Sequence, residues 1–514
     1  MKKTNIYKMI FYRFWLSCLI CSCFIACDPQ ISSQDDMNPN IILIVSEDNS
    51  QDLGCYGNTT VHTPNLDSLA FNGAMFMNAY TTYSVCSPSR ASIFTGLYPH
   101  QNGQIGLATH KFRMYDYFDN IPKYLKSKGY RTGCLGKLHV NPDDAIPFDF
   151  HELTTSNFAK KNLQDYAIQA TEFIKSGDAP YFLMVNYPDA HFPLIREVEG
   201  LPTKVVEGSE VNSTLPFVGA DSERLRELTA DYYSQINRMD ECVGMLLDSL
   251  NAIGMTENTL IIYISDHGAQ FSRGKGSNYE GGLKIPMVWH WPGKIKPETV
   301  YEEELTSVID IFPSIIDAIG DTSRIELPGH SLLPLFKEEK YEGHDYLFAE
   351  GALGTAKFFY PRRSVRDERY KLIYNLYSPD PDPYFPVYTD HNYSFMVSGT
   401  GRQEIAESSK EIQRIYDIWE NPPKYELYDL VNDPWEFVNL AENPKYTAEL
   451  NRMKQVLDTW RQDTRDPMSN PVLFDKMRRE TDSINTLYPE HSYQKDSTFK
   501  WNYPKYFGDH VLKE

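Results

Sequence analysis

Two stretches decide the fold: Ile41-Ile42-Leu43-Ile44-Val45, running into Ser46-Glu47-Asp48-Asn49, and Leu260-Ile261-Ile262-Tyr263-Ile264, running into Ser265-Asp266-His267-Gly268. Each is a short, β-branched, uninterrupted apolar run, the pattern of a strand buried on both faces in a parallel sheet. Each ends abruptly in polar and acidic residues. In an open α/β sheet the strand ends deliver ligand-binding groups to one edge, so the two runs predict a shared carboxylate site there. Between them, Tyr181-Phe182-Leu183-Met184-Val185 reads as a further strand. Ile121 to Lys128, Gln164 to Ser176 and Ser222 to Leu250 read as helices. Alternating strands and helices predict an α/β sandwich. After about Glu350 the pattern changes. Arg363 to Asn375 and Tyr425 to Leu430 read as antiparallel strands, Tyr446 to Thr464 as a helix on them, and Ser378 to Pro386 as a loop.

A chain of 514 residues exceeds what one hydrophobic core usually holds. The expected organisation is a signal peptide over 1–26, a linker over 27–38, a catalytic α/β domain over 39–350 and a C-terminal α+β subdomain over 351–514 that completes a substrate cleft. The formal net charge of -20 excludes a nucleic-acid binder and electrostatic docking on anionic lipid, both of which need a basic face. An anionic substrate would require a local basic pocket.

The N-terminus carries Lys2, Lys3, Lys8 and Arg13, then an apolar run from Phe14 to Ala26 and a polar stretch from Asp28 to Asn38. This is an export signal, too short for a confident membrane span. Phe24-Ile25-Ala26-Cys27 resembles a bacterial lipoprotein signal, which implies lipidation of Cys27, membrane contact through that anchor alone, and a periplasmic or cell-surface location; the alternative is a plain signal peptide. Cys18, Cys21, Cys23 and Cys27 belong to this region. Cys55, Cys86, Cys134 and Cys242 are dispersed, which argues against a disulfide framework and a zinc site. An isolated cysteine in an exported chain needs another explanation.

Cys86-Ser87-Pro88-Ser89-Arg90, followed by Ala91-Ser92-Ile93-Phe94-Thr95-Gly96, supplies one, because it resembles the signature of the formylglycine-dependent sulfatases. That resemblance implies an alkaline phosphatase-like fold and oxidation of Cys86 to formylglycine by a maturation enzyme. The hydrated aldehyde would attack sulfur with one hydroxyl and expel sulfate through deprotonation of the other. It further implies one calcium ion held by Glu47, Asp48, Asp266 and His267 together with the modified Cys86. Glu47 stands where a second aspartate is typical, and His267 where asparagine is frequent. Gly136-Lys137-Leu138-His139, Asp189-Ala190-His191 and Gly274-Lys275 follow in the family's order. By resemblance Arg90 and Lys137 hold the formylglycine and sulfate, and His139 removes the proton that releases sulfate. Lys275 and His191 contact the sulfate and protonate the leaving group, and Asp189 contacts an amino or hydroxyl group of the sugar.

The resemblance spans nearly all of the mature chain. Tyr232 to Asp240 is similar to the helix that precedes the second metal-binding strand. Pro99-His100-Gln101-Asn102-Gly103, Tyr360 to Arg366, Glu426 to Leu430, Asp433-Pro434, Asn439-Leu440-Ala441 and Thr464-Arg465-Asp466-Pro467 resemble the N-sulfoglucosamine sulfohydrolase branch. Around Lys275, with Tyr279-Glu280-Gly281-Gly282 after it, the chain instead resembles O-sulfatases, and Glu350 to Lys357 lacks the His-His-Glu cluster of that branch. The expectation is a sulfatase acting on a sulfated glycan, heparin-type N-sulfated glucosamine first. The alternatives are an exo O-sulfatase for another glycan, a phosphonate or phosphodiester hydrolase of the same superfamily, and an inactive glycan-binding lipoprotein. Most of the 35 tyrosines and seven tryptophans are expected in the core, with the loop holding Tyr384 and Tyr388 placed to line a cleft.

Overall fold

The computed structural model describes residues 38–154, 163–322, 325–351, 354–390 and 398–513. The expected signal peptide, the Cys27 lipidation site and all but the last residue of the linker lie outside them.

Eight strands form the main sheet: β1 (Asn40–Ser46), β2 (Ala74–Tyr80), β3 (Arg131–Leu135), β4 (Phe150–Glu152), β5 (Tyr181–Tyr187), β6 (Thr259–Ser265), β7 (Met287–His290) and β8 (Thr299–Ser307). Their order is β4-β3-β5-β1-β6-β7-β2-β8. The first five in that order are parallel, β7 runs antiparallel to both its neighbours, and β8 is parallel to β2.

The apolar run of β1 is explained by what covers it. Ile42 and Ile44 join one buried cluster, and Ile41, Leu43 and Val45 join another on the opposite face. β6 divides the same way, with Ile261 and Tyr263 on one side and Leu260, Ile262 and Ile264 on the other. Each such aliphatic side chain taken from water contributes roughly 1.5–3 kcal/mol, so neither strand tolerates a polar face. The helix Glu223–Ala252 covers the first face with Leu225, Ile236, Met239, Val243, Leu246 and Leu250. It starts where Ser222 caps it, the hydroxyl accepting from the Leu225 amide at 3.1 Å. On the second face the helix Cys86–Thr95 contributes Ala91, Ile93 and Phe94, and the helix Ile311–Ala318 contributes Ile311, Phe312 and Ile315.

A second, antiparallel sheet has the order β12-β11-β10-β9, from β9 (Leu347–Gly351), β10 (Arg362–Arg366), β11 (Tyr370–Asn375) and β12 (Tyr425–Asp429). The helix Thr447–Asp463 packs Met453, Leu457 and Trp460 on Val365, Leu372 and Leu427. The expected loop before Pro386 leads into a short helix, Phe385–Thr389. Both sheets and the packed helices are those expected of the alkaline phosphatase-like sandwich with its smaller C-terminal lobe. Among the described residues no helix is long and apolar enough to cross a membrane.

The sequence motifs of the C-terminal lobe meet in a buried network. Arg363 bonds Asp466 through Nε (3.1 Å) and Nη2 (2.8 Å) and lies 3.4 Å from Glu350. Glu350 in turn pairs with His100 Nδ1 at 2.7 Å, and the other ring nitrogen of His100 meets the Thr464 carbonyl at 3.1 Å. His100, Arg363 and Asp466, all buried, therefore tie the segment after the helix Cys86–Thr95 and the turn after the helix Thr447–Asp463 to the antiparallel sheet.

Candidate active site

Strand register builds the site. β1 and β6 pair so that Ser46 lies beside Ser265, and β1 and β5 pair so that Ser46 lies beside Tyr187. The residues that follow each strand therefore emerge at one edge. Asp266 donates its amide to the Ser46 carbonyl at 3.1 Å, and the Asp48 amide donates to Asp266 Oδ1 at 3.2 Å. The segment after β5 is stitched to the same edge, since the Glu47 amide donates to the Asp189 carbonyl (3.1 Å) and the Ala190 amide to the Glu47 carbonyl (2.7 Å). β3 lies next to β5 and sends out Lys137, whose amide donates to Asn186 Oδ1 at 3.1 Å. Four adjacent parallel strands thus deliver Lys137 and His139, His191, Glu47 and Asp48, and Asp266 and His267. The expected convergence of two strands is borne out and extended to four.

Cys86 opens the helix Cys86–Thr95, all ten residues of which are buried. Its Sγ lies 3.3 Å from His267 Nε2. Ligand atoms of Asp48, Cys86 and His267 lie within 4.8 Å of one another, as do those of Glu47, Cys86 and His191. One helical turn later Arg90 donates to Asp266 Oδ2 from Nε (3.1 Å) and Nη2 (3.0 Å), and from Nη1 to the Lys137 carbonyl (2.8 Å). Lys275 Nζ donates to both Asp48 oxygens at 3.0 and 2.8 Å and to Gln270 Oε1 at 3.3 Å. Lys137 Nζ donates to Glu47 Oε2.

Three carboxylates therefore face three permanent cations in a buried space. Burial alone would raise the Cys86 thiol, but Lys137 and Lys275 outweigh it and bring the group down to about 5. Burial likewise opposes the charge of Asp48, which Lys275 holds below the ordinary carboxylate range. Burial would lower His267, yet Asp266 and then Asp48 push it up to about 9. Glu47 Oε1 is buried with no hydrogen-bond partner, with Arg90 Nη2 3.7 Å away, so it keeps an acceptor position open for a further ligand. Oxygen-rich donors of this kind fit a hard divalent ion. Glu47, Asp48, Asp266 and His267 could hold one.

His139 and His191 flank this group. His139 is buried with neither ring nitrogen hydrogen-bonded, and burial followed by Lys137 holds it well below its ordinary pKa. His191 donates from Nδ1 to the Phe192 carbonyl at 2.6 Å, which leaves Nε2 for a ligand. Both line a cleft of about 1380 Å³ together with Cys86, Lys137, Gln270 and Lys275.

Asp189 requires a correction. It was expected to contact the sugar, but its carboxylate is fully buried and bidentate with Arg238, Nε to Oδ2 and Nη2 to Oδ1 at 2.8 Å each. It anchors the turn that carries His191 and braces Glu47. Sequence reading missed three cleft residues, His110, Gln270 and His491, which sit in no motif. Tyr384 lines the cleft as expected, whereas Tyr388 is buried and donates its hydroxyl to the Lys275 carbonyl at 2.9 Å.

Comparison with known proteins agrees with this geometry. Residues 39–321 match the sulfatase family, and residues 273–392 match the C-terminal region of N-sulphoglucosamine sulphohydrolase. The chain is 30% identical over 465 residues to human N-sulphoglucosamine sulphohydrolase, covering 83% of this chain and 91% of that protein. It is 30% identical over 456 residues to an ulvan-active sulfatase of Formosa agariphila, covering 86% and 84% respectively. The phosphonate monoester hydrolase of Agrobacterium radiobacter superposes with a TM-score of 0.62 at 20% identity, covering 83% of this chain and 96% of that one; this likeness shows the fold alone. The family generally uses formylglycine and a divalent metal. The chain is a member of the sulfatase family, a hydrolase of sulfuric esters or sulfamides.

Proposed function

We propose that the protein removes sulfate from heparin- or heparan-type saccharides, N-sulfated glucosamine foremost, by sulfuryl transfer to a formylglycine made from Cys86. The observation that carries the reading is the position of Cys86 Sγ, 3.3 Å from His267 and ringed by Arg90, Lys137 and Lys275. The substrate class rests on the similarity to N-sulphoglucosamine sulphohydrolase, which includes its C-terminal region. It is also supported by the cleft's charge: three lysines line it against two acids, in a protein of net charge -20. Such a local basic pocket suits a polyanion.

Formylglycine, as its hydrate, supplies the oxygen nucleophile and a second hydroxyl whose deprotonation releases sulfate. Glu47, Asp48, Asp266 and His267 would hold one calcium ion, which when bound supplies positive charge against a sulfate oxygen. Lys137, Lys275 and Arg90 fix the reacting group and stabilise the charge that builds on the sulfuryl oxygens. His139, neutral and unpartnered, takes the proton from the hydroxyl on residue 86. His191, with Nδ1 committed to Phe192, protonates the leaving nitrogen or oxygen from Nε2. Export and anchoring through lipidated Cys27 belong to the same reading, and loss of metabolic lipid labelling in Cys27→Ala tests them.

Two observations favour O-sulfatase action on another glycan as a second reading: the equal 30% identity to an ulvan-active sulfatase, and lysine at position 275. Sulfate release from defined substrates separates the two. N-sulfoglucosamine should exceed glucosamine 6-sulfate, sulfated ulvan oligosaccharides and aryl phosphate by at least about tenfold in kcat/KM, a difference of 1.4 kcal/mol. Preference for an ulvan oligosaccharide or an aryl phosphate overturns the assignment.

A further inference from the structure

The cleft continues well past the groups around Cys86. At about 1380 Å³ it exceeds the roughly 300–1,000 Å³ of a small-molecule site, which leaves room for sugar beyond the unit that carries the scissile sulfate. Two segments distant in sequence build its outer wall. Leu107 to Lys111 is tied to the helix of Cys86 through Ser87, whose Oγ accepts from the Ala108 amide at 2.9 Å. Pro489 to Lys495 is tied to that segment in turn. Tyr493 Oη meets His110 Nδ1 at 2.7 Å and Gln494 Nε2 donates to the Thr109 carbonyl at 3.2 Å; beyond that segment, Trp501 Nε1 donates to the His110 carbonyl at 2.9 Å.

Three non-glycine residues of this wall adopt left-handed backbone, Lys111, Glu490 and His491 with φ of 63°, 50° and 59°, as do Asp48 and His139 at 55° and 57°. L-residues adopt that conformation at a cost and keep it where their surroundings fix it, a pattern that clusters at functional sites. Lys111, Glu490 and His491 all line the cleft, with Glu490 paired to Lys357 at 3.1 Å. The ring of His491 is gripped by His110, with centroids 4.8 Å apart at 89°, and by Phe358, 5.7 Å apart at 64°. Its Nδ1 is buried with no hydrogen-bond partner. Burial, then Lys357, holds this imidazole below its ordinary pKa, so it is a neutral hydrogen-bonding group. Lys111 adds an ammonium to the same wall.

We propose that Lys111 and His491 form an outer subsite that binds an anionic substituent, a carboxylate or a second sulfate, on the sugar next to the one being desulfated. The proposal rests on the glycan reading above. An ammonium and an imidazole N–H are donors matched to oxyanion lone pairs. Neither residue is among the groups that surround Cys86, so the subsite acts on binding of longer substrates and leaves the chemical step alone.

The test compares wild type with Lys111→Ala, His491→Ala and His491→Gln on four sulfated substrates. These are an activated aryl sulfate, a disaccharide with a neighbouring uronate, its carboxyl-reduced counterpart, and a carboxyl-reduced counterpart with a sulfate on the neighbouring sugar. The aryl sulfate should stay within about twofold. Loss of one charge-assisted hydrogen bond should lower kcat/KM on an anionic disaccharide at least roughly tenfold, through KM. His491→Gln should retain more than His491→Ala. The carboxyl-reduced disaccharide without a second sulfate should be poor already in wild type and indifferent to the variants, and whichever anionic disaccharide responds identifies the group that is read. Equal losses on aryl sulfate and disaccharide, or no loss on any anionic disaccharide, overturn the subsite. A wild type inert on every sulfate ester would instead overturn the catalytic reading. The disaccharide Kd measured by calorimetry then decides the subsite, rising about tenfold in both alanine variants if it exists and staying unchanged if it does not.

Discussion

Replacing Asp189 with Asn separates an internal anchor from a sugar contact. Asp189 and Arg238 are both fully buried, joined by two 2.8 Å bonds. Breaking such a pair from one side costs about 3–5 kcal/mol, chiefly because the remaining charge stays buried. The damage should spread to the site, because the Asp189 carbonyl accepts from the Glu47 amide and from Asn49 Nδ2 at 3.1 Å each, and His191 lies two residues on. Urea unfolding should show a loss on the order of 3 kcal/mol or more at unchanged m value. Steady-state assays at low temperature should show kcat/KM falling by similar factors on an aryl sulfate and on a sulfated disaccharide. Asp189→Leu combined with Arg238→Met should recover most of the stability, since two apolar side chains leave no buried charge; the part not recovered reflects the Ile195 carbonyl that Arg238 also holds at 2.7 Å. Wild-type stability in Asp189→Asn, with loss confined to the saccharide, would refute the anchor and restore the contact.

Four further outcomes follow from the geometry. Cys86→Ala should abolish turnover while leaving the urea midpoint near wild type; substantial activity in that variant ends the proposed mechanism. His191→Ala should slow substrates with poor leaving groups by at least about tenfold more than activated aryl sulfates, and equal losses on both would remove its role as proton donor. Chelation should lower both activity and the unfolding midpoint, with recovery on adding calcium; at one hundred times Kd a bound ion adds about 2.7 kcal/mol, so metal-free protein with full activity and an unmoved midpoint contradicts the ligand set. Arg363→Ala should cost about 3–5 kcal/mol in unfolding free energy with kcat/KM within about threefold at low temperature, because its partners Asp466 and Glu350, and His100 beyond Glu350, do not line the cleft; a large kinetic loss in stably folded protein would give that network a catalytic part.

The fold and the inner ring of the site were legible because each rests on local pattern. A strand buried on both faces must be apolar throughout, so β1 and β6 announce themselves, and the register that sets Ser46 beside Ser265 follows from two runs of equal length ending in polar residues. The string around Cys86 is equally local. What escaped depends on partners that sequence does not place. Asp189 stands in a plausible motif, and only the helix Glu223–Ala252 folding over the sheet reveals that Arg238 claims it. Motifs at His100, Arg363 and Asp466 identify a branch of the family, yet in space they pin a short helix and a turn to the antiparallel sheet. His491 is invisible to any window of sequence, because its meaning comes from the chain returning to His110 after nearly four hundred residues and to Phe358 after more than a hundred.

All of the proposed chemistry passes through one atom of residue 86. Protein purified from a host with the maturation enzyme should therefore be digested and the peptide spanning Cys86 weighed, alongside an assay of the same sample. The account predicts an aldehyde in place of the thiol, in a fraction that scales with specific activity across preparations. Full activity in protein whose residue 86 is wholly thiol would contradict it.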